Sequence, residues 1–125
     1  MEFPRGILLV AGKTKVFHLP GGGIEWGETL KQAIIRELYE ETGLKAESVR
    51  YLFNYKGRKL HKKHGKLVKN DVSVFYIESN GHPKPQNEIK RITFWTNKRK
   101  LNIGVSTRLA INNYLTNHKN YVRKS

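Results

Sequence analysis

Residues 22–44 read GGIEWGETLKQAIIRELYEETGL, a stretch that marks both ends of a predicted helix. Thr29 and Gln32 have the spacing of a capping box, in which two side chains satisfy free backbone N–H groups at a helix start. Gly43 stands where a left-handed residue commonly ends a helix. The sequence therefore predicts a helix over about residues 30–42.

Three glutamates share one face of that helix. At about 100° per residue, Glu37, Glu40 and Glu41 fall within an arc of about 100°. Like charges this close repel one another unless a positive group lies among them, and on this face only Arg36 is nearby. A hard divalent cation would remove the repulsion, and an all-oxygen ligand set favours Mg²⁺ or Mn²⁺ over zinc. The alternative is a solvated helix face without a metal.

The glycines at 21–23 precede this helix. Their lack of a side chain allows close backbone approach, so a main-chain carbonyl could add another oxygen ligand. Mg²⁺ bound by a few carboxylates usually also binds substrate phosphates, and it can activate a water molecule. The pattern thus indicates phosphate chemistry.

The same residues resemble the Nudix box, G-x5-E-x7-R-E-U-x-E-E-x-G-U, where U is an apolar residue. Every fixed letter and both apolar positions are present, at Gly22, Glu28, Arg36, Glu37, Leu38, Glu40, Glu41, Gly43 and Leu44. Residues 19–22, Glu88 and Trp95 are also similar to the family's neighbouring segments. The resemblance implies an α+β fold, the Nudix-type α/β/α sandwich with a mixed β-sheet. It also implies a divalent-metal-dependent hydrolase that cleaves a nucleoside diphosphate linked to another group by attack of water on phosphorus.

The resemblance implies metal-binding and catalytic roles for individual residues. Glu40 and Glu41 would be the main metal ligands, and the carbonyl of Gly21 would also face a metal. Glu37 would be a further ligand or the group that positions or deprotonates water. Glu88 would be an additional acidic ligand or base, unless it is a loop acid that pairs with Lys90 or Arg91.

Other residues would support this chemistry. Arg36 and Glu28 would form an ion pair that orients the glutamates. His18 precedes the box at a position where relatives contact the substrate base, although it could also be a surface residue. Trp26, inside the box, is interpreted as an exposed aromatic residue.

The positive charge is confined to the second part of the chain. Residues 1–50 contain seven Lys and Arg and seven acids, whereas residues 51–125 contain 17 Lys and Arg and three acids, so the formal charge of +14 arises there. An acidic site with basic surroundings suits polyanions held to metal ions. A basic face that only keeps the protein soluble, or binds nucleic acid loosely, is the alternative.

Residues 56–69 form the most basic stretch, with seven Lys and Arg, two His and no acid. Lys56 and Arg58 are candidate ligands for the phosphates of a long polyphosphate, a diadenosine polyphosphate or an RNA 5′ end. A basic edge hairpin that discourages aggregation is the alternative. His61 and His64 are interpreted as a solvated hairpin tip, because neither a Cys nor a third zinc ligand is nearby.

The remaining segments predict strands and a second helix. Strands are expected at 6–10, 15–19, about 49–61, about 67–78 and 92–95. A last helix, over about 107–117, would be capped by Ser106 or Thr107 and would place Ile111, Tyr114 and Leu115 on one face. This order suggests a mixed sheet with helices covering its faces.

Composition narrows the class of protein. The absence of Cys excludes disulfides, iron–sulfur clusters and thiolate zinc sites. No apolar run approaches the roughly 20 residues that span a bilayer, and the first six residues lack the shape of a signal peptide. We expect a single domain over 1–125 in the cytoplasm, with no membrane partner. The sequence leaves the oligomeric state open.

Three functions remain possible at this stage. The first is a pyrophosphohydrolase with a preference for highly phosphorylated nucleotides, and the second is a hydrolase of RNA 5′ ends. The third is a non-catalytic Nudix-fold module that binds a nucleotide or RNA. Two Nudix subfamilies are marked by a Pro or a Tyr at a set distance past the box, and the corresponding residues 59–62 contain neither. Only 21 residues precede the box. The substrate therefore stays open.

Overall fold

Four strands and two helices make up the described part of the chain in a computed structural model, which covers residues 6–60, 67–97 and 99–117, with side chains for 6–56, 71–97 and 99–117. The elements are β1 (Ile7–Ala11), α1 (Leu30–Thr42), β2 (Lys45–Leu60), β3 (Leu67–Asn80), β4 (Arg91–Trp95) and α2 (Val105–Asn117). This content confirms the predicted α+β class. Among these residues no helix is long and apolar enough to cross a membrane.

Helix α1 begins and ends where the sequence predicts. The Thr29 hydroxyl accepts from the Gln32 amide at 3.1 Å, and the Gln32 side chain accepts from the Thr29 amide at 2.9 Å. At the other end Gly43 has a φ of 75° and donates its N–H to the Tyr39 carbonyl at 2.8 Å. Both caps satisfy backbone groups that the helix leaves without partners.

Strands β2 and β3 form a long antiparallel hairpin. Their register runs from Lys45 opposite Asn80 to Leu60 opposite Leu67, with irregularities on β2 between Ala46 and Ser48 and between Tyr51 and Phe53. The predicted hairpin is confirmed and extends further at its base, because β2 starts directly after the end of α1. Its predicted tip, residues 61–66, lies outside the described residues.

Strands β1 and β4 form a second antiparallel pair, in register from Ile7 opposite Trp95 to Ala11 opposite Arg91. Leu9 is fully buried and packs with Ile103 and Ile111, so that α2 covers this sheet. The sheet and α2 together enclose the hydrophobic core.

The predicted strand at 15–19 is wrong as a continuous element. Only isolated bridges form there, from His18 to Val10 in antiparallel sense and from Phe17 to Ile103 in parallel sense. The segment pairs with a different neighbour on each side, so no ladder extends along it. The parallel part of the expected mixed sheet is limited to this bridge among the described residues.

The start of the second helix also differs from the prediction. Helix α2 begins at Val105, and its first turn closes with a hydrogen bond from the Arg108 amide to the Gly104 carbonyl at 2.9 Å. Thr107 is therefore inside the helix, where its hydroxyl accepts from the Leu19 amide at 3.3 Å. The expected hydroxyl cap is replaced by a contact that ties α2 to the segment before the glycines.

Replacement of Thr29 tests the importance of the capping box. Thr29→Ala removes the acceptor for the Gln32 amide, and we expect the free energy of unfolding to fall by about 1 kcal/mol. Urea denaturation followed by circular dichroism measures the change. Thr29→Ser keeps the hydroxyl and should stay close to the wild type, and equal losses in both variants would contradict a capping role.

Candidate active site

Glu41 is the most deeply buried acid of the described chain, with only 3% of its surface exposed. It lies in the last turn of α1, which faces the protein interior, and its Oε1 accepts from the Gly21 amide at 3.1 Å. Burial, with smaller contributions from the nearby carboxylates of Glu37 and Glu88, raises the pKa of Glu41 to about 7, against the opposing effect of the Gly21 N–H. A carboxylate in this position is stabilised by any additional positive charge.

Glu41 lines a cavity of about 380 Å³ that brings distant segments together. Three other residues predicted as site residues line the same cavity, namely His18, Gly21 and Glu88. They come from the segment after β1, the glycine turn and the loop before β4. The volume lies within the range typical of small-molecule sites.

The loop before β4 is fixed to the end of α1. Three hydrogen bonds join them, from the Lys84 amide, the Gln86 amide and the Asn87 side chain to the carbonyls of Thr42, Glu41 and Glu40, at 2.9, 3.2 and 2.7 Å respectively. These carbonyls belong to the last turn of α1 and have no partner inside the helix. The loop thereby places Glu88 close enough to Glu41 to raise its pKa.

Arg36 organises the outer carboxylates of α1. Its Nε and Nη2 contact both oxygens of Glu28 at 2.7 and 3.0 Å, and its Nη1 contacts Glu37 at 2.8 Å and Glu40 at 2.9 Å. The hydrogen bonds to Glu28 and then Glu37 raise the pKa of Arg36, and the hydrogen bond from Arg36 lowers the pKa of Glu28. The ion pair expected between Arg36 and Glu28 is thus present, and it also holds two further glutamates.

The carboxylate of Glu37 lies against the backbone of Gly22. A Cβ built at Gly22 would lie 2.7 Å from the Glu37 carboxyl carbon and 2.8 Å from its oxygens. The absence of a side chain at Gly22 therefore leaves room for the Glu37 carboxylate between the Gly22 backbone and the Arg36 guanidinium. The requirement is for space, because Gly22 does not have a positive φ.

The carboxylates fit a hard divalent cation by their chemistry. Within the described ranges, no group of three or more His, Asp or Glu side chains stands ready to hold a metal ion. Arg36 binds Glu37 and Glu40, and the side chain of Glu40 is 48% exposed on that outer side. Glu41 and Glu88, in contrast, line the cavity, and their mutual repulsion with Glu37 is what a cation would remove.

Several predicted residues lie away from the cavity. Lys56 does not line it, and its ammonium pairs with Asp71 at 2.5 Å on the exposed hairpin. The side chain of Arg58 and the residues His61 and His64 lie outside the described residues. Trp26 is fully exposed, as expected.

The sequence analysis did not single out four residues that line the cavity, Gly12, Lys13, Ile89 and Lys90. Lys13 and Lys90 flank strands whose pairing was not known from the sequence. No motif marks these positions, and their proximity becomes evident only when β1 and β4 are aligned.

A backbone contact orients the ring of His18. Its Nδ1 lies 2.9 Å from the Leu19 carbonyl oxygen. Since a carbonyl oxygen only accepts, Nδ1 must carry a hydrogen, and Nε2 is the acceptor when the ring is neutral. A ring held in this way can accept a hydrogen bond from a ligand in the cavity.

Comparisons with known proteins agree with this arrangement. A family model described as NUDIX domain matches residues 2–114. A crystal structure of a protein from Chromobacterium violaceum, described as a nudix hydrolase family member, is 35% identical and superposes with a TM-score of 0.73, covering 92% of this chain and 71% of that one.

Two more distant structures share the fold. A MutT NUDIX hydrolase from Burkholderia pseudomallei is 21% identical with a TM-score of 0.68, covering 90% of both chains. The E. coli ORF135 protein, known from a solution structure, is 18% identical with a TM-score of 0.62, covering 89% of this chain and 84% of that one.

The raised pKa of Glu41 predicts a pH-dependent stability of the metal-free protein. The folded state holds the Glu41 proton up to about pH 7, whereas the unfolded chain loses it near the ordinary value of 4.5. The contribution of Glu41 to the free energy of unfolding should therefore fall between these pH values, by about 3 kcal/mol in total.

Glu41→Gln isolates this contribution. In the presence of EDTA, the variant should be more stable than the wild type at pH 8, and the difference should become small at pH 4.5. Urea denaturation of both proteins across this range measures it. A stability difference that does not change with pH would contradict a raised pKa.

Proposed function

Since the chain belongs to the Nudix family of hydrolases, we propose that it uses a divalent cation to hydrolyse a pyrophosphate bond in a nucleoside diphosphate linked to another group. The observation that carries the proposal is the buried Glu41 carboxylate, which lines a cavity together with Glu88 and His18. Membership of a hydrolase family favours an enzyme over the non-catalytic module.

We assign the binding of Mg²⁺ or Mn²⁺ to Glu41 first, with Glu37, Glu40 and Glu88 as further carboxylate ligands and the Gly21 backbone beside them. Glu41 supports this role because its buried charge has few other ways to be compensated. When bound, the cation would act as a Lewis acid toward a phosphoryl oxygen and lower the pKa of a water molecule.

Glu37 and Glu88 are the candidates for positioning or deprotonating the attacking water. Glu37 is held in one orientation by Arg36 and by the Gly22 backbone, which suits a group that must orient water. Glu88 is exposed in a loop that is fixed to α1, and it lines the cavity together with Glu41.

Arg36 and Glu28 act as positioning residues. The guanidinium contacts Glu28 with two nitrogens, a geometry that restrains rotation about its long side chain. Arg36 in turn donates to Glu37 and Glu40, so that the orientation of these glutamates depends on an ion pair outside the cavity.

The excess of positive charge favours highly phosphorylated nucleotides as substrates. It amounts to +14 and arises from residues 51–125, which include the hairpin with Lys56 and Arg58. These two residues are proposed to attract additional phosphates at a distance, since Lys56 does not line the cavity. His18 is proposed to contact the base.

Hydrolysis of RNA 5′ ends is the second candidate function. It is favoured by the same basic stretch, residues 56–69, which contains seven Lys and Arg and no acid. Strong salt dependence of RNA binding would distinguish it from hydrolysis of free nucleotides.

Activity assays test the proposed reaction. With Mg²⁺ or Mn²⁺, we expect cleavage of a pyrophosphate bond in at least one of a panel of substrates, and no turnover in EDTA. Nucleoside triphosphates and triphosphorylated RNA would release phosphate or pyrophosphate, ADP-ribose would give AMP and ribose 5-phosphate, and a diadenosine polyphosphate would give two adenosine nucleotides. Glu41→Gln should lower kcat by at least about 100-fold, because the buried ligand loses its charge. Glu78→Gln, an exposed acid on β3, is the matched control. Full activity of Glu41→Gln would contradict the ligand assignment.

Substitution of Gly22 tests whether Glu37 must hold its place. Gly22→Ala puts a methyl group against the end of a flexible side chain, so we expect a small loss of stability and a fall in kcat of about tenfold or more. Gly23→Ala is the control, because a Cβ there meets no atom within 4 Å and leaves the hydrogen bond from Arg36 to the Gly23 carbonyl in place. Equal kcat values for the two variants would show that Glu37 tolerates displacement.

A further inference from the structure

Two lysines line the cavity at the same end of the β1–β4 pair. Ala11, the last residue of β1, is the register partner of Arg91, the first residue of β4. Lys13 follows the end of β1 by two residues, and Lys90 directly precedes β4. Both residues therefore lie at the same end of the β1–β4 pair. Lys13 and Lys90 line the cavity.

The backbone holds these two segments close together. The Lys90 amide donates to the Ala11 carbonyl at 2.8 Å, which extends the ladder by one more bond. A Cβ built at Gly12 would lie 3.2 Å from the Glu88 carbonyl oxygen, a distance that leaves little room for a side chain. Lys13 and Lys90 therefore lie on two segments whose spacing is set by the pairing of β1 with β4.

The charges of the cavity favour a polyanion bound at this end of the pair. Both lysines line the cavity at the end of the β1–β4 pair. The acids that line it are Glu41 on α1 and Glu88, which lies two residues before Lys90. Within the described part of the chain, neither lysine takes part in an ion pair with these or other acids. Two lysines that line the same cavity can each donate to the oxygens of a phosphate chain.

We propose that Lys13 and Lys90 form a binding site for the additional phosphates of a triphosphate-bearing substrate. The inference rests on the proposed function and deepens it, since it places direct contacts to the phosphate chain in the cavity, while the hairpin residues attract it from a distance. The triphosphate is the shared chemistry of a free nucleotide and of an RNA 5′ end, and both are ligands of this class.

Equilibrium binding tests the site independently of catalysis. Inorganic tripolyphosphate and pyrophosphate are titrated into the protein in EDTA, and the ratio of their Kd values is compared among variants. Lys13→Met and Lys90→Met keep the apolar stem and remove the charge. We expect each to weaken tripolyphosphate binding by about tenfold and pyrophosphate binding by less.

The controls are lysines in the same two loops that do not line the cavity. Lys15→Met and Lys84→Met change the net charge by the same amount and should alter tripolyphosphate binding by less than about twofold, the effect of a screened surface charge. Lys13→Arg and Lys90→Arg should restore most of the affinity. Equal losses in the cavity and control variants would overturn the proposal, because the net charge alone would then account for binding.

Two further arms separate this inference from the proposed reaction. Binding of a nucleoside triphosphate and of a 5′-triphosphorylated oligoribonucleotide is measured for the same variants, and an equal fold loss for both ligands supports a site that recognises the triphosphate. Unchanged affinity for both overturns it. Failure of the wild type to hydrolyse any substrate with Mg²⁺ or Mn²⁺ would refute the proposed function, while the binding comparison would still decide the role of the lysines.

Discussion

Burial of one carboxylate beside others is the constraint on which the site depends. Glu41 is almost fully enclosed, and its pKa of about 7 corresponds to about 3 kcal/mol against the charged form. This is a large part of the roughly 5–15 kcal/mol that stabilises a typical domain. Such a position is maintained only if the helix cannot move away, and α1 is capped at its first turn and hydrogen-bonded to the loop before β4 at its last turn.

The three glutamates of α1 share one arc of the helix, yet they occupy two environments. Glu37 and Glu40 lie on the outer side, where Arg36 takes the place of a cation, and Glu41 lies on the inner side without such a partner. Because Glu28 binds the Arg36 guanidinium with both oxygens, the guanidinium is restrained and cannot move with Glu37 or Glu40. Arg36 thus compensates the charges of Glu37 and Glu40, which water also reaches, but it does not pair with the buried Glu41.

Local sequence signals predicted the parts of the fold that local interactions determine. The capping box and Gly43 give the bounds of α1, and alternation of residue types gives the hairpin. The segment 15–19 failed because its propensity for a strand is local, whereas its pairing is divided between Val10 and Ile103. The same distinction applies to the candidate site. The box residues could be identified from their motif, whereas the proximity of Lys13 and Lys90 depends on the long-range pairing of β1 with β4.

The distribution of charge around α1 bears on how the proposed site would bind a phosphate chain. On the outer side of α1, one guanidinium contacts four carboxylates, those of Glu25, Glu28, Glu37 and Glu40. This part of the molecule is therefore negative, and within a Debye length of about 8 Å it repels a phosphate chain that approaches alone. In the proposed site, Lys13 and Lys90 would attract the phosphates but would not compensate the buried charge of Glu41. A divalent cation would compensate that charge but leave the far end of a long phosphate chain without a partner, so the cation and the lysines would contribute separate parts of the recognition.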